Sequence, residues 1–165
     1  MSNLKETKVI SAFPACGKSY YYEKYNSKDF VVLDSDSSHF SWVKDENGDN
    51  TDVRNPLFPI NYINHIKTNL GNADIIFVSS HDIVLDALEN NNIEHSIITP
   101  TIDLKEEWLK RFVERGNNEG FISFLDKNFE NFVESLQERN ANIVTLKSGQ
   151  FIEDVMSNYF KKNEM

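Results

Sequence analysis

Short apolar runs, separated by stretches with helical spacing, set the pattern of this chain. Five runs read as buried strands, at 8–12, 30–33, 75–78, 95–99 and 142–146. A strand covered on both faces shows such a run rather than an alternation. Between the runs, apolar residues recur every three or four positions. Ile60, Ile63, Ile66 and Leu70 form one stripe, and Ile83, Val84, Ala87 and Leu88 another. Leu104, Trp108 and Phe112 come next, then Phe121, Leu125, Phe129, Phe132 and Leu136, and finally Ile152, Val155 and Tyr159. Strands alternating with helices predict an α/β fold, a parallel sheet with helices on both faces. The stretch 41–59 departs from this rhythm. It is polar, carries Asn47-Gly48 and two prolines, and reads as a long excursion. With 165 residues, no internal repeat and no low-complexity tract, the chain reads as one domain, 1–165.

The first run leads into Ala12-Phe13-Pro14-Ala15-Cys16-Gly17-Lys18-Ser19, and a tyrosine-rich helical segment follows. Seven of these eight positions fit G-x-x-x-x-G-K-[ST], with Ala12 where the first glycine belongs. Strand, loop and helix in that order turn successive backbone N–H groups inward and aim a positive helix end at the same spot. Pro14, Ala15, Cys16, Gly17 and Tyr20 would then surround the phosphates of ATP. Lys18 would reach the β- and γ-phosphates, and Ser19 would sit on Mg²⁺. The plainer alternative is a Pro-Gly turn before a surface helix. A helix N-terminus lowers a thiol's pKa, but Cys16 reads more simply as a small loop residue.

In open parallel sheets, ligands sit beyond the carboxyl ends of the strands. The second run is followed by Asp34, Ser35 and Asp36, and the third by Ser79, Ser80 and His81. The fourth is followed by Pro100, Thr101 and Asp103, and the fifth by Lys147, Ser148 and Gly149. Polar chemistry at one edge predicts a single site. Asp34 suits a metal held through water, and Asp36 suits accepting the proton of an attacking hydroxyl. Helix capping is the alternative for both. Arg111 and Arg115 lie four apart on one helix face, beside a Gly-Asn-rich stretch that reads as flexible. They suit a cover that closes over phosphates, or surface ion pairs with Glu107 and Glu114. Arg54, Phe58 and Tyr62 are candidates for an acceptor pocket, against solvated charge and ordinary core packing. His81 is a candidate substrate contact or a structural residue at a helix start.

Bulk properties narrow the partners. The formal charge is −9, so a nucleic-acid partner would need a local basic groove, whereas a small phosphorylated substrate needs only a few cations. No apolar run approaches membrane-spanning length. The polar stretch 1–7 lacks a secretory apolar segment, and the single cysteine fits a reducing cytoplasm. No C-x-x-C is present for zinc.

With these residues placed, the chain resembles the small P-loop kinases: nucleoside and nucleoside-monophosphate kinases and the kinase domain of polynucleotide kinases. It looks most like compact, adenylate-kinase-like enzymes of bacteriophages. The resemblance rests on AFPACGKS, VVLDSDSSHF, DIIFVSSH, WLKRFVERG and IVTLKSGQF, of which the first is highly specific. It implies a three-layer P-loop NTPase fold with a five-stranded parallel sheet, an acceptor-binding insert at 36–70 and a short lid at 103–125. Asp36 takes the place of the aspartate that activates the acceptor hydroxyl, Arg111 and Arg115 match lid arginines, and Lys147 and Gly149 lie in the loop that cradles the donor adenine. Ala12 departs from the family glycine, no acid follows the third strand, and the lid lacks a zinc-binding cysteine cluster. Three functions compete. The first is an ATP- and Mg²⁺-dependent kinase of a small nucleoside or nucleotide. The second is a kinase of a nucleic-acid 5′ hydroxyl or hydroxymethylated base, and the third a non-catalytic nucleotide-binding module. Oligomeric state is left open by the sequence.

Overall fold

A computed structural model describes residues 6–156. β1 (Lys8–Ala12) runs into α1 (Lys18–Tyr25), and β2 (Val32–Asp34) into a single helical turn, α2 (Ser38–Ser41). A hairpin of β3 (Trp42–Lys44) and β4 (Asn50–Arg54) follows, then α3 (Ile60–Asn69), β5 (Ile75–Val78) and α4 (Asp82–Asn90). β6 (Ser96–Pro100) leads through a 3-10 turn (Ile102–Leu104) to α5 (Lys105–Glu114), α6 (Glu119–Gln137) and β7 (Asn142–Leu146). The chain is helical again over 152–156. No helix among the described residues is long and apolar enough to cross a membrane.

Five strands form one parallel sheet in the order β2-β5-β1-β6-β7. The expected α/β class and parallel sheet are therefore observed, and three strands keep their expected bounds. β2 starts later than the run 30–33, because Phe30 is drawn into a turn. Its N–H donates to Ser27 Oγ at 3.1 Å, and its carbonyl accepts from Ser27 N–H at 2.9 Å. Asp34 consequently ends the strand instead of following it. β6 is likewise shifted by one residue, since His95 Nδ1 lies 2.8 Å from the Ile93 carbonyl in the preceding turn.

β1 is the central strand. Right-handed crossovers require that its connection to β2 pass on one face, while those from β2 to β5, β5 to β6 and β6 to β7 pass on the other. Packing agrees. Lys24 and Tyr25 of α1 both bond Glu153 of the 152–156 helix, while Arg139, just beyond α6, pairs with Asp82 and Asp86 of α4. The loop leaving β1 thus turns away from the loops leaving β5 and β6, which opens a crevice at the carboxyl edge.

The helical stripes are partly rotated from expectation. On α3 the buried residues are Tyr62, Ile63 and Ile66, whereas Ile60 and Leu70 are exposed. On α4, Leu85 is buried and Ile83 exposed; on α6, Val133 is buried and Phe121 and Phe132 are not. Tyr159 lies outside the described residues. The 41–59 excursion is mainly the β3–β4 hairpin. Asp45 Oδ1 accepts from the N–H groups of Asn47 and Asp49 at 2.9 and 3.0 Å, and Gly48 takes φ 83°, so Asn47-Gly48 builds a tight turn.

Tyr62 displaces the expected aliphatic residues because its hydroxyl has partners at depth. It donates to the Ser35 carbonyl at 2.5 Å and accepts from Ser79 N–H at 3.3 Å. Ser79 Oγ accepts from Ser37 N–H at 3.1 Å, and Ser11 Oγ donates to the Ser79 carbonyl at 3.0 Å. These bonds tie together the carboxyl ends of β1, β2 and β5. Tyr62→Phe leaves two buried backbone groups without their partner, and a loss of about 1–3 kcal/mol is expected. Urea unfolding curves measure it; an unchanged midpoint would show the network to be dispensable.

Candidate functional site

The loop 12–19 is held from outside by its carbonyls. The Pro14 carbonyl accepts from Trp108 Nε1 at 3.0 Å, and that of Ala15 from Arg111 Nη1 at 3.1 Å. Those of Cys16 and Gly17 accept from the N–H groups of Ile152 and Tyr21 at 2.9 and 3.0 Å. By contrast, the N–H groups of Ala15, Cys16, Gly17, Lys18 and Ser19 have no acceptor among the described residues. Four consecutive carbonyls are tied down and five consecutive amides left unclaimed, which is the donor set of an anion-binding nest.

The residue at position 12 is not where the loop needs glycine. Ala12 ends β1, and the left-handed conformations fall at Ala15 (φ 65°) and Gly17 (φ 95°). A methyl is therefore tolerated at 12, while Ala15 carries a strain of about 1–2 kcal/mol. At Gly17 a Cβ would lie 3.3 Å from Phe151 Cδ1.

Lys18 is half-buried. Loss of solvent pulls its ammonium below the ordinary lysine value, and the Asp34 carboxylate opposes that shift. Ser19 Oγ donates to Asp34 Oδ2 at 3.0 Å. Asp36 is presented between Ser35 and Ser37, both anchored by the buried network, and its Oδ1 accepts from Ser38 N–H at 2.9 Å. His81 stands at the start of α4. Although the residue keeps solvent contact, partial desolvation lowers its pKa against the opposing charge of Asp36. No group of three or more His, Cys, Asp or Glu side chains among the described residues is arranged to hold a metal.

A cavity of about 780 Å³ joins these elements. Its lining includes the loop 12–20, Asp36, Ser79, Ser80, His81, Arg111 and Arg115. Of the expected residues, Pro14, Ala15, Cys16, Gly17, Lys18, Ser19, Tyr20, Asp36, His81, Arg111 and Arg115 are thus brought together, and Asp34 joins through Ser19.

The others are placed elsewhere. Arg54 stacks over the Trp42 ring at 4.4 Å on the hairpin, and Phe58 packs against the core 6.1 Å from Tyr62, itself fully buried. None of the three lines the cavity. Lys147 and Gly149 also lie outside it. Their N–H groups donate to Gln150 Oε1 at 2.8 Å and Glu107 Oε2 at 2.9 Å, which closes the loop on itself and on α5.

Arg111 lines the cavity but is not a mobile cover. Its buried guanidinium is sandwiched 3.8 Å from the Trp108 ring and 3.9 Å from that of Phe151. Besides Ala15, it donates to the Gln150 carbonyl at 2.7 Å and Glu107 Oε2 at 3.2 Å. Arg115, one turn on, is exposed. The stretch after α5 is also tighter than expected. Gly116 takes φ 82°, Asn117 N–H donates to the Phe112 carbonyl at 3.1 Å, and Asn118 caps α6 through Phe121 N–H. These caps leave little slack between the two helices.

The sequence reading missed the opposite wall. Phe121, Phe124 and Phe132 of α6 are 38%, 53% and 38% exposed and border the same cavity. The signal was present, because α6 carries more large apolar positions than one sheet contact buries. No protein-family model matches this chain, and no curated protein matches it in sequence.

Cys16 settles between its two expected behaviours. Burial pushes its thiol up to about 12, outweighing the nearby charges of Lys18 and Arg111. At pH 8 the native protein is expected to react with a chromogenic disulfide roughly a hundredfold or more slowly than the urea-unfolded chain. Comparable rates would show the thiol to be accessible and ionised.

Proposed function

We propose that this chain is a P-loop kinase that moves the γ-phosphate of ATP, with Mg²⁺, to the hydroxyl of a small nucleoside or nucleotide. One observation carries the reading: five unclaimed amides, Lys18 and Ser19, whose hydroxyl donates to Asp34, border one cavity with the carboxylate of Asp36. Amides and an ammonium suit a polyphosphate. The hydroxyl of Ser19 and the carboxylate of Asp34 are hard oxygen donors, and so small a protein set fits Mg²⁺, which keeps waters and phosphate oxygens as its other ligands. Bound there, the ion neutralises phosphate charge and aligns the transferred group.

The remaining work falls to the chain's own residues. Lys18 holds the phosphate tail, Arg115 approaches from the lid side at 103–125, and Asp36 takes the acceptor proton. Arg111 acts indirectly by fixing the loop and α5. The five-stranded parallel sheet and the hairpin insert after β2 support the same fold family, with Asp36 at the start of the 36–70 insert on the cavity.

Labelled-ATP transfer over nucleosides, monophosphates and oligonucleotides tests the reading. Lys18→Ala is expected to lower transfer at least about a hundredfold with the fold intact by circular dichroism. Asp36→Asn is expected to lower kcat about 10²–10⁴-fold, with little change in KM for ATP. Undiminished transfer by Lys18→Ala would place the site elsewhere, and full rate in Asp36→Asn would remove it as the base.

A further inference from the structure

The tied carbonyls of the loop 12–19 and its unclaimed amides belong to the same peptide groups. In a planar trans peptide the carbonyl of one residue and the N–H of the next point in opposite directions, and the peptides of this loop are trans. Arg111, by holding the Ala15 carbonyl at 3.1 Å, therefore fixes the Cys16 N–H on the opposite side of that peptide. Ile152, by holding the Cys16 carbonyl at 2.9 Å, does the same for the N–H of Gly17. The first hold matters most, because Ala15 has φ 65°, a left-handed conformation that an L side chain adopts at a cost. Released, the peptide after Ala15 has a reason to turn.

Both holds lead back to one carboxylate. Glu107 of α5 accepts from Arg111 Nη2 at 3.2 Å, from Gly149 N–H at 2.9 Å and from Ser148 Oγ at 2.5 Å. It steadies the buried guanidinium directly, and it ties α5 to the loop that leads to Ile152. The bonds from Ser148 and Gly149 hold its carboxyl below the usual carboxylate value, so the acid is ionised at neutral pH. Glu107 itself is not part of the cavity lining. Resting on the kinase reading above, we infer that Glu107 is a positioning residue for the triphosphate of ATP. Through Arg111 and the loop 147–150 it keeps the Cys16 and Gly17 amides in the orientation that the phosphate tail uses. Charge and position act here with opposite signs. An acid near an anion site that acts by its charge alone repels the anion, so its removal tightens binding. An acid that acts as a brace does the reverse, since its removal leaves the donors to be ordered by the anion itself.

The test measures binding of inorganic triphosphate and of ATP, each with Mg²⁺, to the full chain by calorimetry. Glu107→Ala is expected to weaken both about tenfold or more, although it removes a negative charge. Glu107→Gln keeps the reach, because its Oε1 can accept from Arg111 and Gly149 while its amide donates to Ser148 Oγ; binding within about threefold of native is expected. Glu107→Asp keeps the charge but is one methylene shorter and cannot meet all three donors. It is expected to bind at least about threefold less tightly than Glu107→Gln, which decides the matter should Glu107→Ala not fold. In turnover, the weakened variants are expected to raise KM for ATP and leave KM for the acceptor within about twofold. Cys16 reports on the loop itself. In Glu107→Ala or Glu107→Asp its thiol is expected to react with a chromogenic disulfide about tenfold or more faster than in the native chain, beyond the rise that lost global stability explains. Native-like or tighter triphosphate binding by either variant, Glu107→Gln as weak as Glu107→Asp, or an unchanged Cys16 rate would overturn the inference and leave the kinase reading in place. No heat from the native chain with either ligand brings down both.

Discussion

The site depends on where four backbone carbonyls point. A loop of small residues has no intrinsic reason to keep its amides free, since in isolation it would close on itself or bond water. Here Trp108, Arg111, Ile152 and Tyr21 each take one carbonyl between Pro14 and Gly17. Two of these donors come from α5 and one from the segment after β7, so distant parts of the chain meet around the loop. Donors held this way are already ordered, so the loop would lose little conformational freedom on meeting an anion. Arg111 shows how far the fold goes to secure this. Its charge is buried, which is tolerated because Glu107, two carbonyls and two aromatic faces surround it.

The other half of the site is organised by a polar cluster under the sheet edge. Tyr62, Ser79, Ser37 and Ser11 exchange hydrogen bonds among three strand ends. An apolar filling would pack as well but would leave strand-end amides and carbonyls unpaired at depth. The cluster also fixes the chain on both sides of Asp36, so that carboxylate is held by its backbone neighbours and not by a side-chain ion pair. Asp34 is set by β2 itself, where it is the register partner of Phe77 of β5.

The alternation of apolar runs was enough to read the α/β class and the parallel sheet, because strands buried on both faces leave an unambiguous trace. The strand–loop–helix order over 8–25 was equally legible, since it is set locally. Less was legible wherever a side chain's fate depends on distant partners. Tyr62 and Phe58 looked suitable for a pocket, yet Tyr62 had a buried carbonyl to satisfy and Phe58 had Tyr62 to pack against. Lys147 and Gly149 follow β7 as expected, but Glu107 from α5 captures their loop. Their spacing along the chain contains no sign of that acid. In the hairpin the Asn47-Gly48 signal was correct, and its flanking strands were missed because β3 and β4 are short and mostly exposed, and β4 is largely polar.

Arg111 and Arg115 make the limit of spacing arguments concrete. Four residues apart, they share a side of α5, and spacing alone assigns them one role. What separates them is the surroundings of one helical turn. Arg111 lies between Trp108 and Phe151, whose rings exclude water and force its donors onto fixed acceptors. Among the described residues the Arg115 side chain has only the Phe112 ring, at 5.9 Å, and it is exposed. A guanidinium stacked on both faces and bonded to three acceptors organises a site and has less to give a ligand than an exposed one. The helix therefore supplies a fixed brace and an exposed cation within one turn, and the charge of the second acts on Lys18.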